Sequence, residues 1–136
     1  MINRILVPTD GSECSYKALD WALDLAEKYG AEVELLCVIP TTAFAVIGPC
    51  ERELQDHAEK ILGEALDKSK SKPGLRISSK ILVGSPADKI VEESKEGNFD
   101  LIVMGSRGLG GIKGFLLGSV ADRVADLAQC PVIVVK

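Results

Sequence analysis

Aromatic side chains make up only 4% of this sequence, and without them the stacking platforms that hold single-stranded bases are not available. Positive charge is not in surplus either. The 16 Lys and Arg residues stand against 20 Asp and Glu, for a net charge of −4, which argues against a nucleic-acid footprint. No apolar run approaches the roughly 20 residues that span a bilayer, so no membrane partner is expected. The opening MINRILVPTDGS has too short an apolar run for a secretory signal. The expected location is cytoplasmic. Histidine occurs once, as His57, and Cys14, Cys37, Cys50 and Cys130 include no C-x-x-C pair. That is poor material for a zinc site, and no protein metal ligands are nominated. The thiols read as reduced and structural. Cys14 falls in the first turn of a helix, where the dipole favours a thiolate, but no redox role is expected.

What is present is an alternation. Short runs rich in Val, Ile and Leu predict strands over 2–8, 31–39, 76–83, 99–105 and 130–136. Between them lie segments of helical period. The first, from Glu13, carries Ala18, Ala22, Leu25 and Ala26 in its stripe, with Ser12 as N-cap and Gly30 as stop. The second covers 50–70, with Leu54, Ile61, Ala65 and Leu66 as its stripe. The third opens with Ser85 as N-cap, Pro86 at N1 and Asp88 at N3. The last opens on a Ser119-x-x-Asp122 capping pattern. The stretch 40–49 is too apolar for a plain linker: a lid, a partner contact or a loop folded over the core would each suit it. The 136 residues suit one domain, and the alternation predicts an α/β fold with a parallel sheet covered on both faces. Ligands in such sheets bind beyond the carboxyl ends of the strands, where the strand order reverses.

Two segments answer to that rule: PTDGS after the first strand and GSRGLGGIKGFLLGS, 105–119, after the fourth. The second holds six of the 13 glycines, with no acid between Asp100 and Asp122. Glycine lets backbone N–H groups converge on a phosphate, a capped helix start follows, and Arg107 and Lys113 add positive charge. A nucleotide phosphate is the natural candidate, a mobile surface loop the plainer one. Common signatures fail. Lys113 is followed by Gly114, which breaks a Walker A loop. The turn after the first strand has one glycine, too few for a Rossmann fingerprint and not a flavodoxin-like phosphate loop. No Asp ends the third strand, as a response regulator needs. With no Glu, Asp, Gln or His in the loop to orient water, hydrolysis would be slow at most, and no catalytic residue is nominated.

The spacing Gly105-x-x-Gly108, nine residues, then Gly118-Ser119 matches the G-2x-G-9x-G-[ST] motif of the universal stress protein family. ILVPTDGSECS, DLIVMGSRG and CPVIVV resemble that family's first, fourth and fifth strands in order. The resemblance implies a Rossmann-like, adenine-nucleotide alpha-hydrolase-like fold of five parallel strands in the order 3-2-1-4-5. It also implies ATP binding, with Mg²⁺ or Mn²⁺, in a nucleotide-dependent regulatory switch of the stress response. Carried over, Asp10 and the backbone of Val38 hold the adenine end, and Pro8, Thr9 and Gly105 lie against the ribose, with Met104 counted in the site. Arg107, Gly108, Gly118, Ser119 and Val120 surround the phosphates. Asp10 could equally cap the first helix, and Ser119 the last. The family commonly dimerises through its last strand, here Val132, Ile133, Val134 and Val135; an interior strand without a partner is the plainer account. The rival functions are a protein–protein adaptor with little nucleotide binding, a slow ATP hydrolase, and an AMP or ADP sensor.

Overall fold

The structure, a computed structural model, describes residues 1–42, 51–107 and 119–136. Its elements in chain order are β1 (Arg4–Pro8), α1 (Glu13–Tyr29), β2 (Glu32–Pro40), α2 (Glu51–Ser69), β3 (Ile77–Gly84), α3 (Pro86–Glu96), β4 (Leu101–Gly105), α4 (Ser119–Leu127) and β5 (Val132–Val135). All strand pairs are parallel, and the sheet runs β3-β2-β1-β4-β5. The expected order is therefore the observed one.

Side chains alternate across the sheet, so each strand feeds two cores. Ile5, Val7, Val33, Leu35, Leu101 and Val103 face α1 and α2, against Ala18, Leu19, Ala22, Ile61 and Ala65. Leu6, Leu36, Ile102 and Met104 face α3 and α4, against Ile90, Val91 and Val124. Burial on both faces explains the nearly unbroken apolar runs.

The helix boundaries follow local chemistry. Ser12 caps α1, its Oγ accepting from the Ser15 amide at 3.2 Å, and Gly30 ends it as expected. Ser85 stands at the N-cap of α3, but its side chain makes no capping bond there. Instead its carbonyl accepts from Lys89 N at 2.9 Å, and Asp88 turns outward to Arg123 of α4 at 3.2 Å. β4 starts at Leu101 rather than Phe99, because Phe99 is drawn into the second core at 6% exposure. Among the described residues, no helix is long and apolar enough to cross a membrane.

Candidate functional site

The strand order reverses between β1 and β4, and there the ladder comes apart. The two strands pair only as Ile5↔Leu101 and Leu6↔Ile102, although β1 continues to Pro8 and β4 to Gly105. The direction of each backbone group follows from a few hydrogen bonds. Arg4 O accepts from Asp100 N at 2.9 Å, so even residues of β1 face β4 and Pro8 places its missing N–H on that side. Ile102 N and Ser106 N donate to Pro131 O and Val135 O, so even residues of β4 face β5. The backbone of Gly105 therefore faces the opening, and that of Met104 turns away from it.

β2 outruns β1 on the other flank. Their register ends at Pro8↔Leu36, and Thr9 N adds one further bond, to Leu36 O at 2.8 Å. Even residues of β2 thus point toward β1, and the N–H and C=O of Val38 both project past the end of β1 into the same opening.

The turn between β1 and α1 lines its floor. Asp10 Oδ1 accepts from Ser12 N at 2.9 Å, a side-chain turn at the helix entry, and Gly11 adopts φ +82° there, a conformation natural to glycine. Thr9, 6% exposed, donates through Oγ1 to Ser15 Oγ at 3.2 Å. Ser12 Oγ reaches Arg107 O at 3.4 Å, joining the turn after β1 to the segment after β4. Cys37 lies just below, and burial, then the nearby Asp10 charge, pushes its thiol up to about 11. At neutral pH that favours the thiol over the thiolate.

Each nominated residue can be placed against this geometry. Pro8, Thr9, Asp10, Gly105 and the backbone of Val38 converge on the opening, with exposed Arg107 at its rim. Ser119 and Val120 begin α4, exposed and half-buried respectively. Met104 is 5% exposed in the second core; its side chain packs rather than lining the opening. Gly108, Lys113 and Gly118 lie outside the described residues, as do Cys50 and most of the 40–49 stretch. His57 is exposed on α2, one helical turn before Ile61, whose side chain lies against Gly11. Gly105 has a packing role of its own, since a Cβ there would sit 2.8 Å from the carbonyl carbon of Cys14. Sequence reasoning read Ser12 only as a cap, without its bond to Arg107 O, and missed Ser15, whose buried hydroxyl accepts from the Thr9 hydroxyl. The signal was faint: small polar residues in the first turn of a helix.

The family model described as "Universal stress protein family" matches residues 1–136. A universal stress protein of Methanocaldococcus jannaschii is 41% identical over all of this chain and 83% of its own length. One from Bacillus subtilis is 36% identical over the full length of both. Among solved structures, a universal stress protein from Archaeoglobus fulgidus in complex with dAMP superposes with a TM-score of 0.79 at 27% identity, covering 100% of both chains. A universal stress protein in complex with cAMP gives 0.77 at 30% identity, covering 98% of this chain and 97% of its own. The chain is a member of the universal stress protein family.

Proposed function

We propose that this chain binds ATP, with Mg²⁺ or Mn²⁺, in the opening beyond β1 and β4 and acts as a nucleotide-dependent regulatory switch. The observation that carries the reading is the pair of backbone edges turned into that opening. Val38 offers an N–H and a C=O side by side, which suits the acceptor and amino donor on one edge of adenine, and Gly105 offers the same pair across the gap. In this reading Asp10 accepts from ribose or adenine at the adenine end, and Arg107, exposed at the rim, meets phosphate. Relatives in complex with dAMP and cAMP support an adenine nucleotide as the ligand class. Among the described residues no group of three or more His, Cys, Asp or Glu could hold a metal ion. A divalent cation would then take most of its oxygens from phosphate and water. Nucleotide binding would then bias the conformation of the segments that flank the opening, which is the physical content of the switch.

The same two complexes favour a second reading, an AMP or ADP sensor, because neither dAMP nor cAMP carries a γ-phosphate. We take the 136 residues as one domain, pairing as a homodimer through β5, the edge strand whose outward backbone groups belong to Val132 and Val134. Denaturing the purified protein and identifying what it releases tests the ligand, followed by calorimetric titration of ATP, ADP and AMP into the stripped protein. ATP near one per chain and tightest in titration supports the switch. AMP tightest supports the sensor. No nucleotide and no binding heat leaves the adaptor, and sedimentation of the same sample reads the dimer.

A further inference from the structure

Glu34 lies on β2 at the opposite end from Val38, one pleat from the fully buried Leu36. The register sets Glu34 beside Ser78 and Leu36 beside Lys80, so Glu34 and Lys80 share the face that α3 covers. From α3, Glu93 reaches down to 5% exposure, and Lys80 Nζ meets its Oε1 at 2.9 Å. The Glu34 carboxyl hydrogen-bonds to Glu93, while Glu34 Oε1 is buried without a partner among the described residues. Other charges face this group from the neighbouring elements. Arg4 of β1 lies 3.1 Å from Glu32 of β2, sits over the Phe99 ring at 4.4 Å and donates to Gly97 O. Arg4, Glu34 and Arg76 line one cleft of about 120 Å³, and Glu96 acts on Lys80 from the end of α3.

Two carboxyl groups in hydrogen-bond contact under a helix do not both ionise cheaply. Lys80 is committed to Glu93, so the proton belongs on Glu34, donated to the Glu93 carboxylate. We propose that Glu34, Glu93 and Lys80 form a proton-operated latch that holds α3 against the β2–β3 side of the sheet. The latch is closed while one proton bridges the two carboxyl groups and loosened when that proton leaves.

The ionisation of each partner agrees. Burial first, then the bond to Glu93 and its charge, push Glu34 up to about 7, against the opposing pull of Lys80 and Arg4. For Glu93 burial pushes upward, but the bonds from Glu34 and Lys80 outweigh it and hold the group below its usual value. The signs are opposite. Stability from Glu34 is complete below its ordinary value of 4.5 and lost as pH rises through about 7. Stability from Glu93 is present above that ordinary value and lost on further acidification. The latch holds best in mildly acidic solution.

The test is denaturant unfolding of the whole chain between pH 5 and 8.5, for the wild type and Glu34→Gln. The amide introduced by that substitution would still donate to Glu93 but does not titrate. In the wild type the folded-to-unfolded ratio should fall by up to about tenfold per pH unit as one proton is released. Glu34→Gln should lose that slope and be the more stable protein at pH 8. Carboxyl NMR of the wild type should show Glu34 titrating near 7, moving higher in Lys80→Met. Hydrogen exchange in α3, corrected for intrinsic rate, should quicken above neutral pH in the wild type only. A Glu34 carboxyl titrating near 4.5, equal slopes in the two proteins, or exchange in α3 that ignores Glu34 overturns the latch.

Discussion

At the carboxyl ends of β1 and β4 pairing stops after Leu6↔Ile102, and the chain leaves backbone groups of Val38 and Gly105 facing an opening. At the amino ends of the same strands the chain takes up its own backbone groups. Asp100 Oδ2 accepts from Asn3 N at 2.8 Å and Arg4 N at 3.0 Å, Glu32 N donates to Asn3 O and Val33 N to Arg76 O. Charged side chains then cover the face behind them. One end is closed by the chain's own groups and is suited to hold the fold. The other is incomplete by construction and is suited to hold something else.

Substitutions at the two ends should therefore separate binding from stability. The largest effect expected is from Gly118→Val, which should abolish ATP binding in calorimetry with an unchanged circular dichroism spectrum. The motif places that glycine where a Cβ would intrude on phosphate. Normal affinity in this variant would remove the glycine segment from the site. Gly105→Ala should cost about 1–3 kcal/mol, the usual penalty for overpacking. The clash is with the Cys14 backbone, which cannot rotate aside, so the start of α1 must shift. A thermal midpoint equal to the wild type would show that α1 gives way freely.

At the closed end, Asp100→Ala leaves two backbone donors without their acceptor and should cost about 1–2 kcal/mol. Its affinity for ATP should be unchanged, and a weakened affinity would sink the separation drawn between the two ends. Smallest is Asp10→Ala, expected to weaken ATP binding about tenfold, the loss of one charge-assisted hydrogen bond. If titration gives the wild-type affinity, Asp10 is a turn residue holding Ser12 N and nothing more.

Much of this architecture was legible in the residues. Strand runs, the Ser12 cap, the Gly30 stop and Pro86 at the head of α3 each rest on local chemistry, and local chemistry is written in order along the chain. The register was not legible. Whether Val38 turns its backbone toward β1 or β3 depends on which atoms of β2 meet Leu36's neighbours, and only pairing decides that. Ser15 and the second role of Ser12 were missed because the Thr9–Ser15 bond depends on how the turn after β1 folds and the Ser12–Arg107 bond joins residues 95 positions apart. Glu34 carried a hint, a charge inside an apolar strand, but its partner Glu93 lies 59 positions away. Ser85 shows the reverse limit: its position was predicted, and its side chain makes no bond there.

The length of β2 carries a last consequence. It spans Glu32–Pro40, nine residues, and both ends of the sheet take a working group from it at even positions. Because alternation has a period of two, inserting or deleting one residue between Glu34 and Val38 would put the two groups out of phase, so that only one of them could keep its face and its edge. Changes in chain length can accumulate on either flank of this strand, as in any surface connection. Within it the spacing is effectively a reading frame, and evolution can edit its letters but not their count.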